Sequence, residues 1–232
     1  MKILAVDTSA DTCSVALSEN EIPAFERTAD HGKTHAVTIA GMIDELLRTS
    51  GTTLDRIDGF AVTTGPGSFT GLRIGIATVK GLAFAVSKPV VPVSTLDVLA
   101  FQCTGIKSLI CPLIDARKKE VYAAVYRWDN NHLERVRPSV VAAPEKVLEN
   151  IDEHCFFLGS GSLLYRDVIE KQLGEKAVIA QKTMNRIRAS AVAVLGYRQL
   201  RKNAGEAPHD IIPLYIRRSD AEKNRNRMLS GT

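Results

Sequence analysis

Two aspartates each close an apolar run, and they are the first residues whose type and place suggest chemistry. Ile3-Leu4-Ala5-Val6 runs into Asp7-Thr8-Ser9-Ala10-Asp11-Thr12, and Leu109 to Ile114 runs into Asp115, followed by Ala116-Arg117-Lys118-Lys119. The first turn is dense in carboxylates and hydroxyls, which in many turns satisfy their own backbone. The second carries three consecutive cations, whose charge attracts an anion. His31 and His35 stand four apart, a spacing that on one helix face would hold a metal. Gly32 between them weakens a helical turn, and no cysteine or carboxylate completes a set nearby, so they read as loop and helix-start residues. His132, His154 and His209 are isolated and read as surface positions. The four cysteines, 13, 103, 111 and 155, form no CxxC pair and have apolar or strand-like neighbours, which reads as buried reduced thiols in a cytosolic protein. No local Ser-His-Asp or Cys-His arrangement is suggested, and no local metal-ligand set is complete.

The elements that position these groups follow from periodicity. The chain of 232 residues is 45% hydrophobic with a net charge of +4, enough for one large or two smaller domains and too evenly basic for a dedicated nucleic-acid binder. Met1 to Val6 is too short for a signal peptide, and no apolar run is long enough to cross a membrane. Strands are predicted over 2–7, 13–18 and 22–28, then an amphipathic helix over 34–50 with Ile39, Ala40, Ile43, Leu46 and Leu47 on its core face. Val37 and Met42 fall outside that stripe and offer a second contact surface, beside Gly41. A strand near 57–64, a helix from Phe69 or Thr70 to Ser87, a strand over 90–93 and a short helix over 95–104 complete a mixed five-stranded sheet. The second half repeats this outline: strands over 109–114, 120–128, 133–141, 155–158 and 177–179, and helices from Pro144 to near Ile151, over 162–173 and over 189–202. The domains are expected to be 1–105 and 106–232, the second diverged and ending in a polar tail.

The helix behind Gly65-Pro66-Gly67-Ser68 has an unusual polarity. Only Arg73, Thr78 and Lys80 break its apolar pattern, with Ile74 and Ala77 among the apolar positions and Gly71, Gly75 and Gly81 as small gaps. A helix apolar nearly all round is buried nearly all round. Either other parts of this chain cover every face, or one side meets a second protein.

Asp7-Thr8-Ser9, the stretch Thr63 to Gly75 (TTGPGSFTGLRIG), DARKKEVYAA from Asp115 and PLYIR from Pro213 together resemble the TsaB (YeaZ) family of bacterial proteins, over essentially the whole chain. The duplicated hairpin-and-helix outline resembles the actin-like ATPase superfamily. The resemblance implies an α/β fold of two actin-like, ribonuclease H-like domains, and a role in making threonylcarbamoyladenosine on transfer RNA. It implies a non-catalytic partner of TsaD, the paralogous transferase, with the ATPase TsaE as third member, and tRNA contact that is indirect. The partner face would comprise Val37, Gly41, Met42, Arg73, Ile74, Ala77, Lys80 and Gly81; alone, the same face would pair two copies of the chain.

In actin-like kinases the first turn holds nucleotide phosphates and its Asp orders magnesium through water, so the resemblance makes Asp7, Thr8, Ser9 and Asp115 candidate nucleotide-binding residues. It leaves room for ATP or ADP with magnesium at the junction with the partner. Arg117, Lys118 and Lys119 stand where those kinases have a Gly-rich turn, which speaks against a working site. TsaD carries a His pair on the helix after its fifth strand; Ser94 to Leu99 is the matching place here and has no His, so neither a metal site nor a catalytic residue is expected in this chain. The alternative reading is an independent actin-like small-molecule kinase or ATPase. The five basic residues among Arg217 to Arg227 read as a solvated tail or an RNA contact.

Overall fold

The computed structural model describes residues 1–30, 35–214 and 216, and of residues 35–37 the backbone only. His31, the side chains of His35 and Val37, and the basic run from Arg217 to Arg227 therefore lie outside the described residues.

Among the described residues two mixed five-stranded sheets form, as the periodicity predicts. The first holds β1 (Lys2–Asp7), β2 (Thr12–Glu19), β3 (Ile22–Asp30), β4 (Gly59–Gly65) and β5 (Val90–Ser94), in the order β3-β2-β1-β4-β5. The second holds β6 (Leu109–Asp115), β7 (Val121–Asp129), β8 (His132–Ala142), β9 (Cys155–Leu158) and β10 (Ala177–Ile179), in the order β10-β9-β6-β7-β8. Both follow one scheme. Three antiparallel strands come from two hairpins, and two more then join parallel to the first strand. Parallel pairing needs a long crossover, and helices supply it. Asn130 and Asn131, both in the left-handed region, make the tight β7–β8 turn expected of such residues.

Seven helices among the described residues cover the sheets: α1 (His35–Thr49), α2 (Phe69–Ala85), α3 (Thr95–Phe101), α4 (Pro144–Leu148), α5 (Ser160–Leu164), α6 (Arg166–Leu173) and α7 (Ala189–Leu200). The helix predicted as one piece over 162–173 is two. Helical backbone begins already at Ser160, behind Gly159, and breaks at Tyr165, which ends α5 and precedes α6. Ser68 and Ser94 cap α2 and α3 by accepting from the Gly71 and Asp97 amides.

The layers follow from three apolar clusters. Leu4, Val6, Val15, Phe60 and Val62 pack under α1 and α2. Leu113, Val121, Phe157 and Ile169 pack between the second sheet and α4 and α6. Between the sheets lies the third, built on Ile3, Ala5, Ala61, Val91, Leu96, Leu99, Ile110, Tyr126 and Val192. Here each half lends a helix to the other. α7, from the second half, lies along β1, β2 and β4, while α3, from the first, reaches β6 and β7. Gly196 lets α7 sit on the sheet, because a Cβ there would stand 2.5 Å from that of Ala61.

Candidate functional site

Asp7 ends β1, and Thr8 and Ser9 follow it against the start of α2. All three are buried, and their donors point into the chain. One Asp7 oxygen, Oδ1, accepts from Ser9 Oγ at 2.6 Å, Thr63 Oγ1 at 2.7 Å and the Ser9 amide at 3.2 Å. Thr8 Oγ1 donates to the Gly71 carbonyl at 2.7 Å, and the Ser68 amide donates to the Ser9 carbonyl at 2.8 Å. The start of α2 is thus laced onto the turn. Its glycines make the contact possible: a Cβ on Gly67 would stand 2.2 Å from the Ser9 carbonyl oxygen, and one on Gly71 2.0 Å from that of Thr8. This backbone contact explains part of the GPGSFTGLRIG stretch without any ligand.

The other Asp7 oxygen, Oδ2, is buried with no hydrogen-bond partner among the described residues. Desolvation pushes the carboxyl up to about 6, against the opposing pull of the Ser9 and Thr63 hydroxyls. The Thr8 and Ser9 hydroxyls are already spent on Gly71 and Asp7, and the α2 backbone lies against the Thr8 and Ser9 carbonyls. Thr12 Oγ1, at the far end of the turn, is buried with no hydrogen-bond partner among the described residues.

The second turn differs. Asp115 is half-buried, accepts from the Arg117 amide at 2.8 Å, and donates its own amide to Ser160 Oγ at 3.1 Å. Arg117, Lys118 and Lys119 are exposed and all left-handed, with φ of 58°, 54° and 59°. Asp7 and Asp115 therefore share a topological position without sharing an environment. At α3, where the sequence lacks histidines, Leu96, Val98 and Leu99 fill the core. Among the described residues no three His, Cys, Asp or Glu side chains converge as a metal site requires.

α2 presents its other side to solvent. Gly71, Leu72, Gly75, Ile76, Val79 and Ala83 face inward. Arg73, Ala77 and Gly81 make an exposed ridge at spacing four, and Ile74 is half-buried beside it. The Arg73 guanidinium lies over the Phe69 ring at 3.9 Å. Gly81 on α2 and Gly41 on the neighbouring α1 are exposed, and nothing lies within 4 Å of where their Cβ would be. These small residues leave the face flat.

Two residues expected on that face are otherwise engaged. Met42 is a core residue, 8% exposed, whose Sδ meets the Cys13 thiol at 3.6 Å. It lies one turn from Ile39 and Leu46, which widens the buried stripe of α1. Lys80 turns aside to donate to the carbonyls of His209 and Ile211, at 3.0 and 3.2 Å.

Through Lys80 the chain ties residues 208–214 along α2, and the Leu214 amide closes the tie on the Thr64 carbonyl. Phe84, one turn beyond Lys80, is 78% exposed, and Ile212 on the tied segment 71%. Neither stands in the partner face expected from sequence. Phe84 shares one stripe with Arg73, Ala77 and Lys80 at helical spacing and so is visible in the sequence. Ile212 carried no signal, since its place depends on a contact about 130 residues away.

A family model described as "TsaD: tRNA N6-adenosine threonylcarbamoyltransferase" matches residues 29–225. The tRNA threonylcarbamoyladenosine biosynthesis protein TsaB of Bacillus subtilis is 33% identical over 96% of both chains. The solved structure of YeaZ from Pseudomonas aeruginosa superposes with a TM-score of 0.80 at 29% identity, covering 92% of this chain and 99% of that one. A ROK hexokinase from Thermus thermophilus, at 11% identity and a TM-score of 0.52 over 87% of this chain and 100% of its own, shares the fold alone.

Proposed function

The chain belongs to the TsaB family of tRNA threonylcarbamoyladenosine biosynthesis proteins, and from that premise we propose that it serves the pathway as a docking subunit with no chemistry of its own. Its partner is TsaD, the paralogous transferase, with the ATPase TsaE joining the pair. The docking face lies within residues 1–105: the exposed side of α2 with the adjoining side of α1.

One observation carries this reading: α2 is apolar nearly all round, yet one long side of it lies in solvent. Burying Phe84, Ala77 and their neighbours against a second helix pair would recover about 25 cal/mol for each Å2 of apolar surface removed from water. Gly41 and Gly81 let a partner backbone come close, as small residues do where helices cross tightly. The family model named for TsaD matches residues 29–225, which supports equivalent helices in the paralogue as the surface that meets this face. In the absence of TsaD the same face pairs two copies of the chain. The first turn supports the non-catalytic part of the reading, because the Thr8 and Ser9 hydroxyls are already engaged within the chain, on the Gly71 carbonyl and the Asp7 carboxylate.

The test is Ala77→Glu, which places a charge on the ridge without touching the core. It should abolish co-elution with TsaD and, in a reconstituted mixture of all three proteins, lower threonylcarbamoyladenosine formation at least tenfold. A folded Ala77→Glu protein that still co-elutes with TsaD removes this face from consideration.

A further inference from the structure

We propose that a cavity at the junction of the two sheets binds an unpaired segment of RNA, through stacked bases and two free cations. It lies on the far side of the first sheet from α2, so it stands or falls independently of the docking face. It also revises the expectation that tRNA contact is only indirect.

The cavity measures about 570 Å3 and is bounded by α3, the β7–β8 hairpin and the C-terminal half of α7. Its walls carry the guanidinium planes of Arg135 and Arg198, each backed by a ring, the Tyr126 ring itself being buried. Arg135 lies over the Tyr126 ring at 5.6 Å and Arg198 over the Phe101 ring at 5.2 Å, with Tyr197 beside them. Each of these arginines already has an acid: Arg135 donates to Asp97, which also accepts from Tyr126 Oη at 2.6 Å, and Arg198 meets Glu21 at 2.7 Å. Asp97 and Glu21 are thereby consumed in holding the planes in place.

Arg201 and Lys202 at the rim are exposed and form no ion pair among the described residues. The charge left over is theirs, and it is positive. Aromatic faces and guanidinium planes are what unpaired bases stack on, and accessible cations are what phosphates require. A duplex keeps its bases stacked on each other and could use only the cations, so the walls favour a loop over a helix. An acidic peptide would use the cations but leave the guanidinium planes and the Tyr197 ring idle.

The test measures binding of the full chain to a tRNA anticodon stem-loop by fluorescence anisotropy, with an RNA duplex of equal length and free AMP as comparators. The wild type should prefer the stem-loop. Arg201→Glu with Lys202→Glu, both on the surface, should weaken binding at least tenfold. It should also flatten the salt dependence by about 1.4, since each single-strand phosphate contact contributes about 0.7 to the slope. Tyr197→Leu keeps apolar bulk but removes the ring; it should reduce the preference for the stem-loop over the duplex and leave the salt slope unchanged. The proposal is overturned if the wild type does not bind the stem-loop, if it binds the duplex equally well, or if the double variant binds like the wild type. Competition by AMP at concentrations matching the RNA would overturn it too, by marking a mononucleotide site.

Discussion

The first turns of the two sheets, one after Asp7 and one after Asp115, occupy the same topological position and oppose each other in nearly every property. The first is buried, its hydroxyls donate inward, and the glycines of α2 seal it. The second is open to solvent, cationic, and held in left-handed backbone by residues that dislike it. A repeated topology therefore does not carry a repeated site. What sets the two turns apart is the backbone that arrives opposite them: Gly67 and Gly71 reach the first, whereas Ser160 touches only the edge of the second.

The largest effect should come from breaking the seal. Gly71→Ala would drive a methyl into the Thr8 carbonyl, 2.0 Å from where its Cβ would lie, at a cost of about 3 kcal/mol or a rearranged α2 start. Gly81→Ala on the outer side of the same helix meets nothing and should gain up to about 1 kcal/mol in helix propensity. Urea denaturation of the two variants compares them directly. Equal stabilities would show that the seal is not tight.

Next is the carboxylate enclosed by it. Asp7 is raised from 3.8 to about 6 by burial. Between those values the unfolded chain has lost the proton that the folded chain still holds, so stability falls as pH rises through that window, and the full cost persists above it. Asp7→Asn keeps the acceptor for Ser9 and Thr63 and removes the charge. It should stabilise the protein by about 1–3 kcal/mol at pH ~7.5, and the gain should vanish below about pH 4. A midpoint that does not shift with pH between the two proteins would mean that the charge is solvated after all.

The second turn should give the smallest change. Lys119→Gly removes one left-handed side chain, φ 59°, and should stabilise by about 0.5–1 kcal/mol. A loss of stability would show that the lysine side chain, rather than the backbone, holds the turn.

Much of the fold was legible because hairpin alternation and helical stripes are local signals. The strand ends at Asp7 and Asp115, the Ser68 cap and the Asn130-Asn131 turn all follow from residues next to one another. What escaped was decided at long range. A stripe on α7 shows that the helix packs, not that it packs on the other half's sheet. Met42 looked peripheral until Cys13 and the width of the first sheet placed it inside. Lys80 read as part of the outward face because nothing local announces carbonyls 129 and 131 residues away. The sequence sets Thr8 and Ser9 beside Asp7, but whether they face a ligand or their own chain depends on how closely a distant glycine approaches.

The exchange of α3 and α7 has a consequence during synthesis. β1, β4 and β5 are made early, yet the layer that shields Ala61 and Val91 arrives only when residues 189–200 leave the ribosome. For most of translation the amino-terminal half is a finished sheet with one bare flank, exposed to whatever chaperone or neighbour reaches it first. Completion of that layer thereby waits on the late synthesis of α7.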